Sequence, residues 1–148
     1  MQSLQINPYT LECDEGQRLE AWGVKVIVKA GTVETGGTFN LLEVSGPNGF
    51  ATPLHIHYAE DVAVYVLEGS LTVYWGDQMQ EATVGSYFFQ PRGTPHGFRV
   101  TRDAHVLYLT VPAGFDTFVS AASKYSGDCE LMTAAARHKI EILGPLPE

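Results

Sequence analysis

The chain has 148 residues, enough for one domain with a sizeable core, and its make-up is that of an ordinary globular protein, 45% hydrophobic and 18% charged. Seventeen acidic against nine basic residues give a formal net charge of -8 with no basic run, which argues against nucleic acid or an anionic membrane as partner. No stretch approaches the ~20 apolar residues of a membrane span, and Met1 to Asn7 shows neither a basic n-region nor an apolar h-region, so a cytoplasmic location is expected.

From about Trp22 to Val111 the chain is a succession of short β-rich runs separated by Gly, Pro, Asn and Asp, the pattern of an antiparallel sandwich or barrel. Val24 to Lys29 leads to a loop ending at Gly36-Gly37, and Thr38 to Val44 stops at Gly46-Pro47-Asn48-Gly49. Thr52 to His57 is the next strand. After a turn at Tyr58-Ala59-Glu60-Asp61, Val62 to Leu67 reaches Glu68-Gly69 and Ser70 to Trp75 returns, which reads as a hairpin; Trp75-Gly76-Asp77 is a hairpin tip. Gln80 to Val84, Tyr87 to Gln90, His96 to Val100 and His105 to Val111 complete about nine runs, enough to close a barrel.

The tail changes character. Phe115 to Lys124 carries Phe115, Phe118, Val119 and Ala122 at helical spacing, and Glu130 to His138 is rich in Ala, Leu and Met, so both read as helices divided at Gly127-Asp128. Ile140 to Leu143 reads as extended and stops at Gly144-Pro145. The expected organisation is one domain over residues 1–148, with a barrel core at about 20–112 and helices and tail at about 113–148. Cys13 and Cys129 lie near opposite ends without CxxC spacing and read as free thiols.

The chemistry concentrates in Pro53-Leu54-His55-Ile56-His57 and in Gly85 to His96. In a strand, residues i and i+2 share a face about 6.5–7 Å apart, so His55 and His57 can converge on one point, and a third imidazole from another strand would complete a metal site.

These two segments resemble the motifs of the cupin superfamily. The first runs from Gly49 through His55, His57 and Gly69, and the second from Gly85 through Pro91 and Gly93 to His96. Pro112 to Phe118 and Ala136 to Pro145 look like the single-domain group called quercetin 2,3-dioxygenase-like. The resemblance implies an all-β fold, a double-stranded β-helix or jelly-roll-like barrel with a short C-terminal helical extension. It also implies a homodimer and a divalent metal held by His55, His57 and His96. Nitrogen ligands suit Fe, Ni, Cu or Zn without choosing among them. Each ligand must be neutral, so metal affinity is expected to fall as the pH drops through about 6.5.

One departure matters. Where this family normally has a glutamate, five residues after the second histidine and seven before the closing glycine, the chain has Val62. In flavonol-cleaving members that glutamate is thought to ligate the metal and act as base, and a valine can do neither. Glu60 and Asp61 are the nearby acids that could substitute; the plainer reading makes them exposed turn residues. Arg92 is assigned to the surface or a dimer contact, and His105 and His138 to no chemistry.

The leading expectation is therefore a metal-binding cupin of dioxygenase type acting on a small aromatic or oxygenated substrate. The alternative is a non-catalytic binding or sensing module with an empty or relict site. A weaker third reading, a metal-free isomerase with a histidine base, needs an acid partner such as Tyr65 or Tyr87. No catalytic residue is assigned. Val62, Val64 and Val66 share a face beside the histidines and read first as barrel core, with a wall for an apolar ligand as the narrower alternative, while Phe39, Leu41, Tyr65, Tyr74, Tyr87, Phe89 and Phe98 are expected in the core.

Overall fold

The computed structural model describes residues 5–125 and 127–147. Its elements follow as β1 (Gln17–Ala21), β2 (Val24–Ala30), β3 (Asn40–Gly46), β4 (Leu54–His57), β5 (Asp61–Trp75), β6 (Gln78–Ala82), β7 (Tyr87–Gln90), β8 (His96–Val111), α1 (Phe115–Ala122), α2 (Asp128–Arg137) and β9 (Ile140–Gly144). The strands form a curled antiparallel sheet, a jelly-roll-like barrel with two short helices, as expected.

The two long strands β5 and β8 pair along nearly their full length and are shared by both halves of the barrel. In one half, Val62 to Tyr65 of β5 lie between β7 and the C-terminal part of β8, which continues to β3, β2 and β1. In the other, Leu71 to Trp75 lie between β6 and the N-terminal part of β8, which continues to β4 and β9.

This arrangement corrects the hairpin expected at Glu68-Gly69. The chain does not reverse there, because each flank already has β8 as its partner. Instead the register slips between Val66 and Leu71, and Gly69 takes a φ of +79° at the bulge. A Cβ on Gly69 would run into the backbone carbonyls of Arg102 and Asp103, so only glycine lets β5 cross β8 so closely. Bulges bend strands from one half of a barrel into the other, and β8 likewise joins two runs that read as separate strands. The true reversal is the two-residue loop Gly76-Asp77, with Trp75 paired to Gln78.

Alternation decides what is buried. Val62, Val64, Val66, Leu71, Val73 and Val100 point inward with Leu42, and the intervening Tyr65 on β5 and Tyr87 and Phe89 on β7 point outward. Phe39 is also exposed. The expectation that these four belong to the core is therefore corrected, and so is that for Leu41, which stands half-buried on the same outer side.

Both helices form at the expected places. α1 has no side-chain cap of its own; the Oδ1 of the fully buried Asn40 on β3 accepts hydrogen bonds from the backbone N–H groups of Gly114 (3.0 Å) and Asp116 (3.1 Å). That tie fixes the entry of α1 and swings Phe115 and Phe118 over the barrel. Phe118 packs with Ala134, Ala135 and Ile140 in a second apolar cluster that joins α2 and β9 to the barrel end.

Candidate metal centre

His55 and His57 leave the same face of β4, while His96 opens β8 directly across from His55 in the antiparallel register. One ligand nitrogen from each lies within 4.8 Å of the others, and all three side chains are buried. The structure thus brings the three sequence-identified histidines together.

Their outer nitrogens are all occupied. His55 Nδ1 lies 2.7 Å from the Pro53 carbonyl, His96 Nδ1 2.9 Å from the Thr94 carbonyl, and His57 Nδ1 2.8 Å from Glu60 Oε1. Carbonyl and carboxylate oxygens can only accept, so each Nδ1 carries the hydrogen and each Nε2 is left with a lone pair. The Nε2 atoms of His55 and His57 are 3.1 Å apart. Two lone pairs facing at that distance call for a positive charge between them. Nitrogens about 2.0–2.1 Å from one ion at ordinary coordination angles are themselves roughly 2.9–3.4 Å apart. The donor set therefore fits a divalent metal.

Protons are poor competitors for this place. Burial, then repulsion from His96 and His57, lowers the pKa of His55 to about 3. Burial first, with a smaller contribution from His57, lowers that of His96 to about 4. Both values lie well below the 6.5 at which acid was expected to displace a metal.

Glu60 is neither an exposed turn residue nor aimed at the metal position. It is 4% exposed, and its carboxylate holds His57 in orientation, the arrangement by which second-layer carboxylates set a ligand's tautomer. Asp61 instead accepts hydrogen bonds from the backbone N–H and side chain of the exposed Arg92, bracing the Pro91-Arg92-Gly93 turn before His96. His105 bonds Glu43, and His138 the Ala134 carbonyl, both away from the centre.

The histidines form one wall of a cavity of about 230 Å³ whose surface is almost wholly apolar. Val62 and Val64 line it as expected, whereas Val66 packs outside it in the core. Phe50, Phe88 and Phe98 contribute from the barrel and Phe115, Phe118 and Leu131 from the helices. Phe115 lies 5.3 Å from His57 and 5.2 Å from Tyr108, ring centre to ring centre.

Sequence reasoning missed Tyr108 and Gln90, the buried polar residues that share this cavity with the histidines. Tyr65 and Tyr87, proposed as acid partners, face outward. Alternation along β8 was the available signal for Tyr108, since Val106 and Tyr108 share a face. Its position next to Val64 requires the strand register. Burial, with the nearby charge of Glu60, pushes the Tyr108 hydroxyl far above the usual tyrosine range, so it stays a neutral donor.

A match to the Cupin domain family covers residues 41–112. The chain is 33% identical over 93 residues to quercetin 2,3-dioxygenase of Bacillus subtilis (strain 168), an alignment spanning 63% of this chain but only 28% of that relative. Among solved structures, KdgF from Halomonas sp. superposes with a TM-score of 0.64 at 23% identity, covering 72% of this chain and 96% of that one. Streptomyces PAC13 with uridine superposes at 0.65 with 12% identity, covering 95% and 94%, and so shares the fold through the C-terminal helices. Together, the two histidine motifs, the barrel and these matches support a cupin superfamily protein.

Proposed function

We propose that the chain is a metal-dependent enzyme of dioxygenase type that binds a divalent ion through His55, His57 and His96 and acts on a small aromatic, oxygen-bearing substrate. The observation that carries this reading is the convergence of three Nε2 lone pairs on the wall of an apolar cavity. The alignment with quercetin 2,3-dioxygenase supports the reaction class. A bound Fe, Ni, Cu or Zn ion supplies Lewis-acid chemistry toward a substrate oxygen, and Fe, Ni or Cu can also serve oxygen chemistry.

The residues of the chain provide the setting. Val62, Val64 and the phenylalanines exclude water, which strengthens every charge interaction inside. Glu60 keeps the Nδ1 proton of His57 in place and holds its Nε2 toward the ion. With Val62 at the glutamate position and the Glu60 carboxylate engaged by His57, no carboxylate is assigned as base toward the substrate. His55, His57 and His96 would contribute no negative charge to an ion they held, so that ion would favour an anionic substrate oxygen more strongly than it would beside a carboxylate ligand.

The test is to strip the protein with chelator and titrate each of the four metals, then to follow oxygen uptake with flavonols and simpler phenols. Near-stoichiometric binding with substrate-dependent oxygen consumption is expected. Absence of any bound metal would sink the proposal. Metal or ligand binding without turnover would favour the second reading, a binding or sensing module, which the apolar Val62 supports.

A homodimer and a cytoplasmic setting belong to the same proposal. The exposed Tyr65, Tyr87 and Phe89 offer an apolar outer face for a second copy, and two free, exposed thiols suit a reducing compartment. Among the described residues no helix is long and apolar enough to cross a membrane.

A further inference from the structure

The inner face of the barrel carries a second polar feature beside the histidines. Val62 stands between Gln90 on β7 and Thr110 on β8, and the next inward row places Phe88, Val64 and Tyr108 side by side. Directly paired residues have Cβ atoms about 4.5–5.5 Å apart, so the Gln90 amide lies against the Val62 side chain and Tyr108 is one row along. The Thr110 hydroxyl is engaged by Asn40.

Gln90 is 4% exposed, and its amide makes no hydrogen bond to any described residue. The same holds for the Tyr108 hydroxyl. Among the described residues no sealed side-chain nitrogen or oxygen lacks a partner, so these two groups must border the open space of the cavity they line. Unpartnered polar groups in an apolar cavity are costly to keep in a fold unless something else uses them.

We propose that Gln90 and Tyr108 form the polar anchor of the cavity, two neutral donors beside Val62 that hold a carbonyl or hydroxyl oxygen of an otherwise apolar, ring-bearing ligand. This deepens the proposed function by naming the recognition element. It rests on the cavity being the substrate site, but not on a metal being bound. A neutral amide and a phenol select neutral oxygen, whereas the three histidines with an ion select an anionic one. The preferred ligand then carries at least two oxygens on a ring framework, one for each end. The cavity lies below the roughly 300–1,000 Å³ of common ligand pockets, which suits one or two rings.

The experiment compares 2-naphthol with 2-methylnaphthalene, equal in shape and differing only in the hydroxyl, by calorimetry on chelator-stripped protein. The wild type is expected to prefer 2-naphthol by about tenfold. Gln90→Met and Tyr108→Phe should each cut that preference several-fold without weakening 2-methylnaphthalene, and Gln90→Asn should restore part of it. Neither Gln90→Met nor Tyr108→Phe should lower the ligand-free melting temperature, since no bond within the protein is lost. A preference that survives both substitutions, equal binding of the pair, no binding of either compound, or a fall in ligand-free melting temperature would overturn the proposal. Nickel titration of the same preparations reads the histidine centre separately, so a failure of metal binding leaves the naphthol result standing.

Discussion

The two faces of the strands β7, β5, β8 and β3 are built from similar residues and end up with opposite tasks. The inner rows are Gln90, Val62, Thr110, Asn40 and Phe88, Val64, Tyr108, Leu42; the outer rows are Phe89, Ala63, Leu109, Leu41 and Tyr87, Tyr65, Leu107, Glu43. Outside, Tyr87 is 62% and Phe89 50% exposed, while the central strand β5 presents only Val62 and Val64 to the inside of these rows. The concave face of a curled sheet has less room per residue than the convex face. Small β-branched residues fill it partway and leave the cavity in which the histidines, Gln90 and Tyr108 meet.

The sharpest break in this contrast comes from the inside. His96→Ala should reduce zinc or nickel affinity by more than ~100-fold in calorimetric titration, beyond what loss of a supporting residue costs. Leu42→Ala, at a site with no exposure, should cost about 2–5 kcal/mol in urea unfolding, whereas Tyr87→Ala should cost less than about 1 kcal/mol. Comparable costs would mean that the outer face is not free. Glu60→Ala should weaken metal binding by roughly 10–100-fold by releasing His57; an unchanged affinity would show that β4 alone orients the ring.

Acid sharpens the comparison further. His55 and His96 titrate at about 3 and about 4 in the fold against 6.5 in an unfolded chain. Between those values the unfolded chain takes up protons that the folded one refuses. The contribution of the two histidines to stability is therefore fully present above about 6.5 and lost progressively as pH falls to about 4 and below. Urea midpoints of chelated protein measured from pH 7.5 to 4 should fall, and the fall should be smaller in His96→Ala. The smallest effect is expected outside. Phe89→Lys should leave metal affinity unchanged while shifting sedimentation from dimer toward monomer, and an unaltered dimer would move the interface elsewhere.

Much of this was legible from spacing alone. The period-2 placement of His55 and His57 put two imidazoles on one strand face by local geometry, whereas His96 as the third came from the resemblance to the cupin motifs. The helices at Phe115 and Asp128 were legible for the same reason. The Glu68-Gly69 reversal was misread because a glycine that lets a strand cross a neighbour looks, in sequence, like one that turns the chain back. Glu60 was misread because two turn residues, Tyr58 and Ala59, separate it from His57, and only the folded turn brings its carboxylate onto Nδ1.

The sequence by itself determined the strand-rich class and the shared face of His55 and His57, properties of residue type and short-range period, while the resemblance to the cupin motifs added His96 and the weight given to Val62. Which side of each strand faces inward, that Tyr108 and Gln90 flank Val62, and that Phe115 closes over His57 were decided only by register between strands far apart in the chain. A shift of one residue in that register would turn each of these side chains to the opposite face.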